Sequence, residues 1–209
     1  MNIDLRILEL VASKICHDLI SPIGAVNNGL ELMEDEQDAA LQTEALALAQ
    51  RSARRASILL QMFRSLFGNA GNQAAFGPKE VRQLALEFLQ NGKVTLEPDF
   101  ADAGHLPEGF GKLLLAAIVL AAEALPRGGT VTVTLPEASE ATSFSVVGVG
   151  GQIAFSEENQ KALQLILPVP DLTAHSALPY FTGLLVKRAG IRCEIDQKTA
   201  GQFALYFST

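Results

Sequence analysis

Apolar side chains recur every three or four residues from Asp4 to about Met33. Leu5, Leu8, Ala12, Ile15, Leu19, Val26, Leu30 and Met33 follow the alternation, with Pro22 in one seam position. This heptad-like stripe predicts one long helix. The polar cluster Glu34-Asp35-Glu36-Gln37-Asp38 breaks it. A second stripe then runs through Leu41, Ala45, Leu48, Ala49, Ala56, Leu59, Phe63 and Leu66, with Arg51, Arg54 and Arg55 on the other face. Two long helices joined by a short acidic turn make an antiparallel hairpin. A lone hairpin covers one side of each helix, so two copies are expected to pair as a four-helix bundle in a homodimer. The alternative is that the hairpin docks on the C-terminal half of its own chain.

The segment Gly68 to Pro78 is low in charge and rich in Gly, Asn and Ala, and reads as a linker or extended crossing segment. Beyond it the period alternates. Helices are predicted at Lys79–Gln90, Glu108–Leu125, Glu157–Leu167 and Ala174–Ala189. Strands are predicted at Lys93–Glu97, Thr130–Leu135, Ser143–Val149, Arg192–Asp196 and Gln202–Phe207. The apolar helix near Leu113 is expected to pack under the sheet. The fold class is therefore α+β: a hairpin domain over residues 1–68, then a two-layer α/β sandwich over 77–209.

Composition narrows the function. The chain has 209 residues and a formal net charge of −7. At 48% hydrophobic it can bury a core, which excludes intrinsic disorder. The acidic balance argues against nucleic acid, whose phosphates need clustered cations. The longest strongly apolar run, Leu113 to Ala122, is about half of the ~20 residues that a membrane span requires. The first twenty residues carry Asp4, Arg6, Glu9 and Lys14, so no targeting segment is expected. Cys16 and Cys193 make neither a disulfide framework nor a zinc pattern. A cytoplasmic protein off the membrane, with no metal of its own, is the expectation.

The chemistry sits on the first helix, in SKICHDLISPIGAVNN from Ser13 to Asn28. With the seam at Ala12, Ile15 and Leu19, His17 falls ~200° from its neighbours on the seam and points into water. A solvated imidazole is largely neutral at pH 7 and nucleophilic. Asp18 follows and can orient the ring, and Ser21 lies one turn on. Pro22 removes a helical hydrogen bond there, which predicts a bend. A lone surface His would usually be solvated and inert; the combination with Asp18, Ser21 and Pro22 is what raises it above that. Ser21 has an alternative role, bonding back to its own helix. Cys16, Ile20, Ile23 and Gly24 surround the exposed face of His17, with Asn27 and Asn28 further along, and Lys14 is the nearest cation. Exposed Ile off the seam suggests a partner surface, although both Ile are equally placed to thicken the bundle core. Arg54, Arg55 and Phe63 are the second helix's candidates for the same surface. A Cys16–His17 nucleophile pair is rejected, since adjacent helical residues point ~100° apart. His105 and His175 have no partner at metal-ligand spacing.

Cys16-His-Asp-Leu-Ile-Ser-Pro22 resembles the phosphotransfer motif of two-component histidine kinases, in which an acidic residue follows the phosphorylated His. Those kinases continue into an ATP-binding sandwich, and here its motifs are degraded. Ala121 and Ala122 stand where the metal-binding Asn-Ala is expected, ahead of Pro126-Arg127-Gly128-Gly129. Val147-Gly148-Val149-Gly150-Gly151 has glycines but no adenine-binding Asp. Gly183 stands alone in an apparent helix, where a Gly-x-Gly phosphate loop would be. Across nearly the whole chain the sequence resembles the ChpT-type histidine phosphotransferases of alphaproteobacteria. CHDLISPIGAVNNGLELM, AAEALPRGG and ALPYFTGLLVKRAG carry that resemblance.

The resemblance implies a dimer in which His17 relays a phosphoryl group. The donor is an aspartyl phosphate on the receiver domain of a hybrid histidine kinase, and the acceptor is an aspartate of a response regulator. Asp18 and Ser21 join His17 as catalytic candidates. Lys14, Cys16, Ile20, Ile23, Gly24 and Asn27 are the partner-binding candidates. No cofactor and no ATP are expected on this chain, and Mg²⁺ is expected to arrive with the receiver. Two alternatives stand beside this: a non-catalytic dimer that sequesters a regulator, and an ATP-using sensor kinase with divergent nucleotide motifs.

Overall fold

The computed structural model describes residues 5–35, 38–72, 76–90, 92–98, 100, 106–107, 109–136 and 143–209. His105 lies outside the described residues. Helix α1 (Leu5–Asp35) and helix α2 (Ala39–Leu66) form the expected hairpin. Asp38 caps α2, its carboxylate accepting from the Ala40 amide at 2.7 Å. Small residues set the helix spacing. Ala45, Ala49 and Ala56 are buried on α2, and Gly29 is buried on α1 against Ala45 and Ala49.

The second half is a sheet of β1 (Val94–Leu96), β2 (Gly129–Thr134), β3 (Phe144–Gly150), β4 (Arg192–Asp196) and β5 (Gln202–Ser208). Its spatial order is β1-β2-β3-β5-β4; β1 runs parallel to β2 and the other pairs are antiparallel. Strand alternation puts Val131, Val133, Phe144, Val146, Phe203, Leu205 and Phe207 into the core. Helices α3 (Pro78–Leu89), α4 (Gly111–Glu123) and α6 (Ala177–Ala189) pack with this sheet, and α5 (Glu157–Leu163) packs on α6. Every residue of α4 from Gly111 to Ala121 is buried, as its unbroken apolar run demands. The two-layer sandwich is therefore the one expected.

Three boundaries differ from expectation for local reasons. Helix α5 stops at Leu163 because Leu165 turns left-handed at φ 57°, and the Ile166 amide bonds back to the Lys161 carbonyl at 2.9 Å. Helix α6 begins only at Ala177, after the Ser176 hydroxyl has taken the Thr173 amide at 2.8 Å. Helix α4 begins at Gly111, behind Gly109 at φ 83°. In its described first part, the segment after α2 is not an open linker. It folds into a short 3₁₀ turn at Ala70–Asn72, where Gly71 is buried, and the Lys112 ammonium donates to the Gly68 carbonyl at 2.6 Å.

The hairpin does dock on its own chain. Leu59, Met62, Phe63 and Leu66 of α2 belong to the same core as α3 and α4. Near the start of α1, Ile7 and Leu10 pack with Leu172, Ala177 and Tyr180. Yet Leu5, Leu8, Ile20, Ile23 and Leu30 of α1 and Leu46 and Leu60 of α2 remain exposed. Docking uses one flank of the hairpin and leaves another apolar flank open.

Candidate functional site

Helix geometry sorts the residues around His17 into faces. At ~100° per residue, Ile15, Leu19, Val26 and Gly29 face α2. Cys16, Ile20, Ile23 and Asn27 lie about 100° to one side, on the exposed apolar flank. Lys14, Asp18, Ser21 and Ala25 lie on the other side and line a cleft. His17 and Gly24 occupy the outward ridge between the two flanks. The His17 side chain is 83% exposed. A Cβ added at Gly24 would meet nothing within 4 Å.

The cleft beneath His17 is open, with a volume of about 790 Å³. Its far wall is α2 (Leu48, Arg51, Ser52, Arg55), closed at the base by Phe88 and Glu123. A second groove of about 590 Å³, lined by Leu32, Leu41 and Ala45, shares Leu48 and Arg51 with it and extends it along the hairpin. A track with apolar walls thus leads away from His17 between α1 and α2.

His17 Nδ1 lies 3.1 Å from Asp18 Oδ1. The other carboxylate oxygen, Oδ2, accepts from Lys14 Nζ at 3.1 Å. The same ammonium donates to Glu123 Oε1 at 3.2 Å, across from α1 to the end of α4. Burial alone would lower the Lys14 pKa, but the Glu123 and Asp18 charges and hydrogen bonds outweigh it and hold the ammonium above its usual range. Arg55 stacks on the Phe88 ring, its guanidinium 4.8 Å from the centroid, and donates to the Phe88 carbonyl. Burial pushes its pKa down and the nearby Asp18 charge opposes that. Among the described residues, no three His, Cys, Asp or Glu side chains gather to hold a metal ion.

A family model described as the histidine phosphotransferase C-terminal domain matches residues 78–201. Over 193 residues the chain is 38% identical to the protein phosphotransferase ChpT of Brucella abortus (strain 2308), covering 89% of this chain and 88% of that one. The chain belongs to the histidine phosphotransferase family. A solved bacterial phosphotransferase, 34% identical, superposes with a TM-score of 0.81 and covers 100% of this chain and 98% of its own.

In this histidine phosphotransferase the candidates from sequence do not form one surface. His17, Asp18, Ser21 and Lys14 meet at the cleft. Cys16, Ile20, Ile23 and Asn27 lie on the opposite flank, away from it. Lys14 does not reach outward; its ammonium is held between two carboxylates of its own chain. Ser21 makes no hydrogen bond among the described residues, whereas Thr43 and Thr182 bond back to their helices at 2.8 Å. Its hydroxyl is free for a ligand. Helix α1 runs unbroken through Pro22, which has no N–H to donate to the Asp18 carbonyl one turn earlier. Phe63 is buried in the core, Arg54 is exposed to one side, and Arg55 alone of those three lines the cleft.

Two features of the site were missed in the sequence. Glu123 is the sole charged residue of α4 after Lys112, and a lone carboxylate ending an apolar helix is the signal that was available. Phe88 gave none. Three glycines of the degraded motifs have packing roles, while a Cβ at Gly151 would meet nothing within 4 Å. A Cβ at Gly148 would press on the Ala121 carbonyl and Leu125, one at Gly150 on the Gly128 carbonyl, and one at Gly183 on the Leu163 carbonyl of α5. Each marks a close backbone approach. His175 lines a separate small polar recess of about 300 Å³, shared with Lys14, Glu123 and Asn159.

Proposed function

We propose that this phosphotransferase relays a phosphoryl group between receiver domains through His17. The donor is an aspartyl phosphate on the receiver of a hybrid histidine kinase; the acceptor is an aspartate of a response regulator. The observation that carries the reading is the His17–Asp18 contact at 3.1 Å on an imidazole exposed to 83%. With a carboxylate at Nδ1, the ring proton sits on Nδ1 and the Nε2 lone pair faces outward. Nε2 attacks phosphorus in line, the P–O bond to the aspartyl carboxylate breaks, and that carboxylate departs with the electron pair. No proton has to leave. The ring becomes a phosphoimidazolium, and the Asp18 carboxylate stabilises the positive charge that develops on it. The reverse step regenerates neutral His17.

Asp18 and Glu123 are bridged by Lys14 and do not open as a pair to a cation. Mg²⁺ is expected from the receiver. ATP is not required, because the donor is already an activated acyl phosphate. The packing roles of Gly148, Gly150 and Gly183 support that reading of the sandwich. The receiver docks over the His17 cleft and along the groove towards Leu41.

The exposed flank bearing Leu8, Ile20, Ile23, Leu30, Leu46 and Leu60 supports a homodimer. At ~100° per residue the α2 members fall on the same side of the hairpin as those of α1, so a second copy seated there completes a four-helix bundle. His17 and the cleft stay open in that arrangement.

The test is transfer of label from a panel of phosphorylated receiver domains, beside an ATP-only control. Label moving onto the wild type but not onto His17→Ala supports the relay. Label from ATP alone makes the chain a kinase. Receiver binding without transfer makes it a sequestering module.

A further inference from the structure

The bridge at Lys14 joins the reactive histidine to the half of the molecule that carries no proposed chemistry. An exposed lysine–carboxylate pair one helical turn apart is worth little, because both side chains pay entropy to meet in water. Lys14 is different on three counts. Its side chain is only 17% exposed, it serves two carboxylates at once, and one of them, Glu123, lies on α4, far away in sequence. A lysine pinned from a second element cannot follow Asp18 through its rotamers. Asp18 must instead come to the ammonium, and Oδ2 is thereby occupied. Only Oδ1 is left for His17 Nδ1, at 3.1 Å.

We propose that Lys14 and Glu123 are positioning residues for phosphoryl transfer: Glu123 on α4 fixes the Lys14 ammonium, which fixes Asp18, which holds His17 with its proton on Nδ1 and Nε2 free. The inference rests on His17 being the phosphoryl acceptor. It gives the C-terminal half a task in the reaction, since α4 ends at the point where the bridge needs a carboxylate.

Charge supports the same arrangement. Asp18, Lys14 and Glu123 together carry one net negative charge, which faces an imidazole that turns cationic when phosphorylated. Burial works against a charged Lys14, and the two carboxylates outweigh it, so the bridge stays charged at neutral pH. Of the other charged groups near Asp18, Arg55 is committed to the Phe88 carbonyl and ring.

The experiment uses the full chain with Lys14→Met, Lys14→Arg and Glu123→Gln. The first readout is the ¹⁵N shifts of the His17 ring in the unphosphorylated protein. The second is the phosphotransfer rate at saturating receiver, measured separately from receiver affinity. Lys14→Met and Glu123→Gln are each expected to mix the His17 tautomers. Each lowers the transfer rate on the order of tenfold, less than loss of the carboxylate itself would cost. Receiver affinity stays within about twofold, and Lys14→Arg restores most of both readouts. Wild-type ring shifts in both Lys14→Met and Glu123→Gln overturn the proposal. So does a loss confined to receiver affinity, which makes Lys14 a docking residue. Should Lys14→Met fail to fold, Glu123→Gln at a half-exposed helix end carries both readouts. Should the wild type accept no phosphate at all, the relay reading fails, while the ring shifts still decide the positioning.

Discussion

His17 and Asp18 are neighbours in sequence, point about 100° apart on the helix, and still meet at 3.1 Å. The Asp18 side chain swings towards the ridge while its second oxygen stays anchored inward on Lys14. The carboxylate therefore presents an acceptor to Nδ1 from a fixed direction. On the proposed relay, Asp18→Asn keeps an oxygen that can accept but removes the charge that would stabilise the phosphoimidazolium. Its amide also has no negative charge to hold Lys14. The phosphotransfer rate should fall about a hundredfold, the low end of what a positioned acid–base partner contributes. Rapid-quench transfer from a labelled receiver measures it. A rate within threefold of wild type would remove Asp18 from the mechanism.

Gly29 and Gly24 are both helical glycines, and the structure gives them opposite expectations. Replacing glycine by alanine inside a helix usually gains about 1 kcal/mol. At Gly24 the new methyl group meets nothing within 4 Å, so Gly24→Ala should raise the melting temperature by about 2–4 °C. At Gly29 it would lie 2.9 Å from the Ala45 carbonyl oxygen and 3.0 Å from Ala49 Cβ. The first of these is backbone and cannot step aside alone, so the two helices must part. Overpacking of this kind costs about 1–3 kcal/mol and cancels or exceeds the helical gain. Gly29→Ala should melt at or below the wild type, and Gly29→Val well below it. Thermal unfolding of the three variants is the check.

The open flank of the hairpin makes a separate claim about assembly. Ile23 on α1 and Leu60 on α2 are 49% and 52% exposed in the single chain, and neither lines the His17 cleft. If a second copy covers that flank, a carboxylate at either position is buried without a partner. Ile23→Asp with Leu60→Asp should convert a dimer into a monomer by light scattering on a sizing column. The cleft lies on the other flank, so the monomer should still bind a receiver. A wild type that elutes as a monomer ends the four-helix-bundle reading.

The helices and strands were legible because their periods were strong, and the departures have local causes. The α1 stripe at Leu5, Leu8, Ala12 and Leu30 is real as a pattern, yet those residues are exposed in the single chain. Leu10, outside the stripe, is buried instead, because Leu172 and Ala177 cover it. No period within one helix can announce a partner more than a hundred and fifty residues away. Likewise Leu165 keeps the apolar pattern of α5 while its backbone turns left-handed and ends the helix. That His17, Asp18 and Ser21 share one cleft was legible because they follow one another along one helix. The place of Glu123 in that cleft was not, since it depends on where α4 ends in space. The partner-facing candidates ring His17 in sequence, but a helix presents such a ring to two sides at once, and only the fold says which side is the cleft.

Lys14 also makes the fold itself sensitive to alkali. Its pKa in the folded protein is raised above 10.5, as Glu123 and Asp18 outweigh its burial. A lysine with a raised folded value binds its proton more tightly folded than unfolded. Its stabilising contribution is complete below about pH 10.5, where both states are protonated, and is lost as pH climbs through the folded value. The wild type should therefore be more stable than Lys14→Met at pH 8, and the gap should narrow as pH rises above 10.5. Urea unfolding of both proteins at pH 8, 10 and 11.5 reads the difference directly. A gap that persists undiminished at pH 11.5 would mean that the aliphatic stem of Lys14, rather than its ammonium, ties α1 to α4.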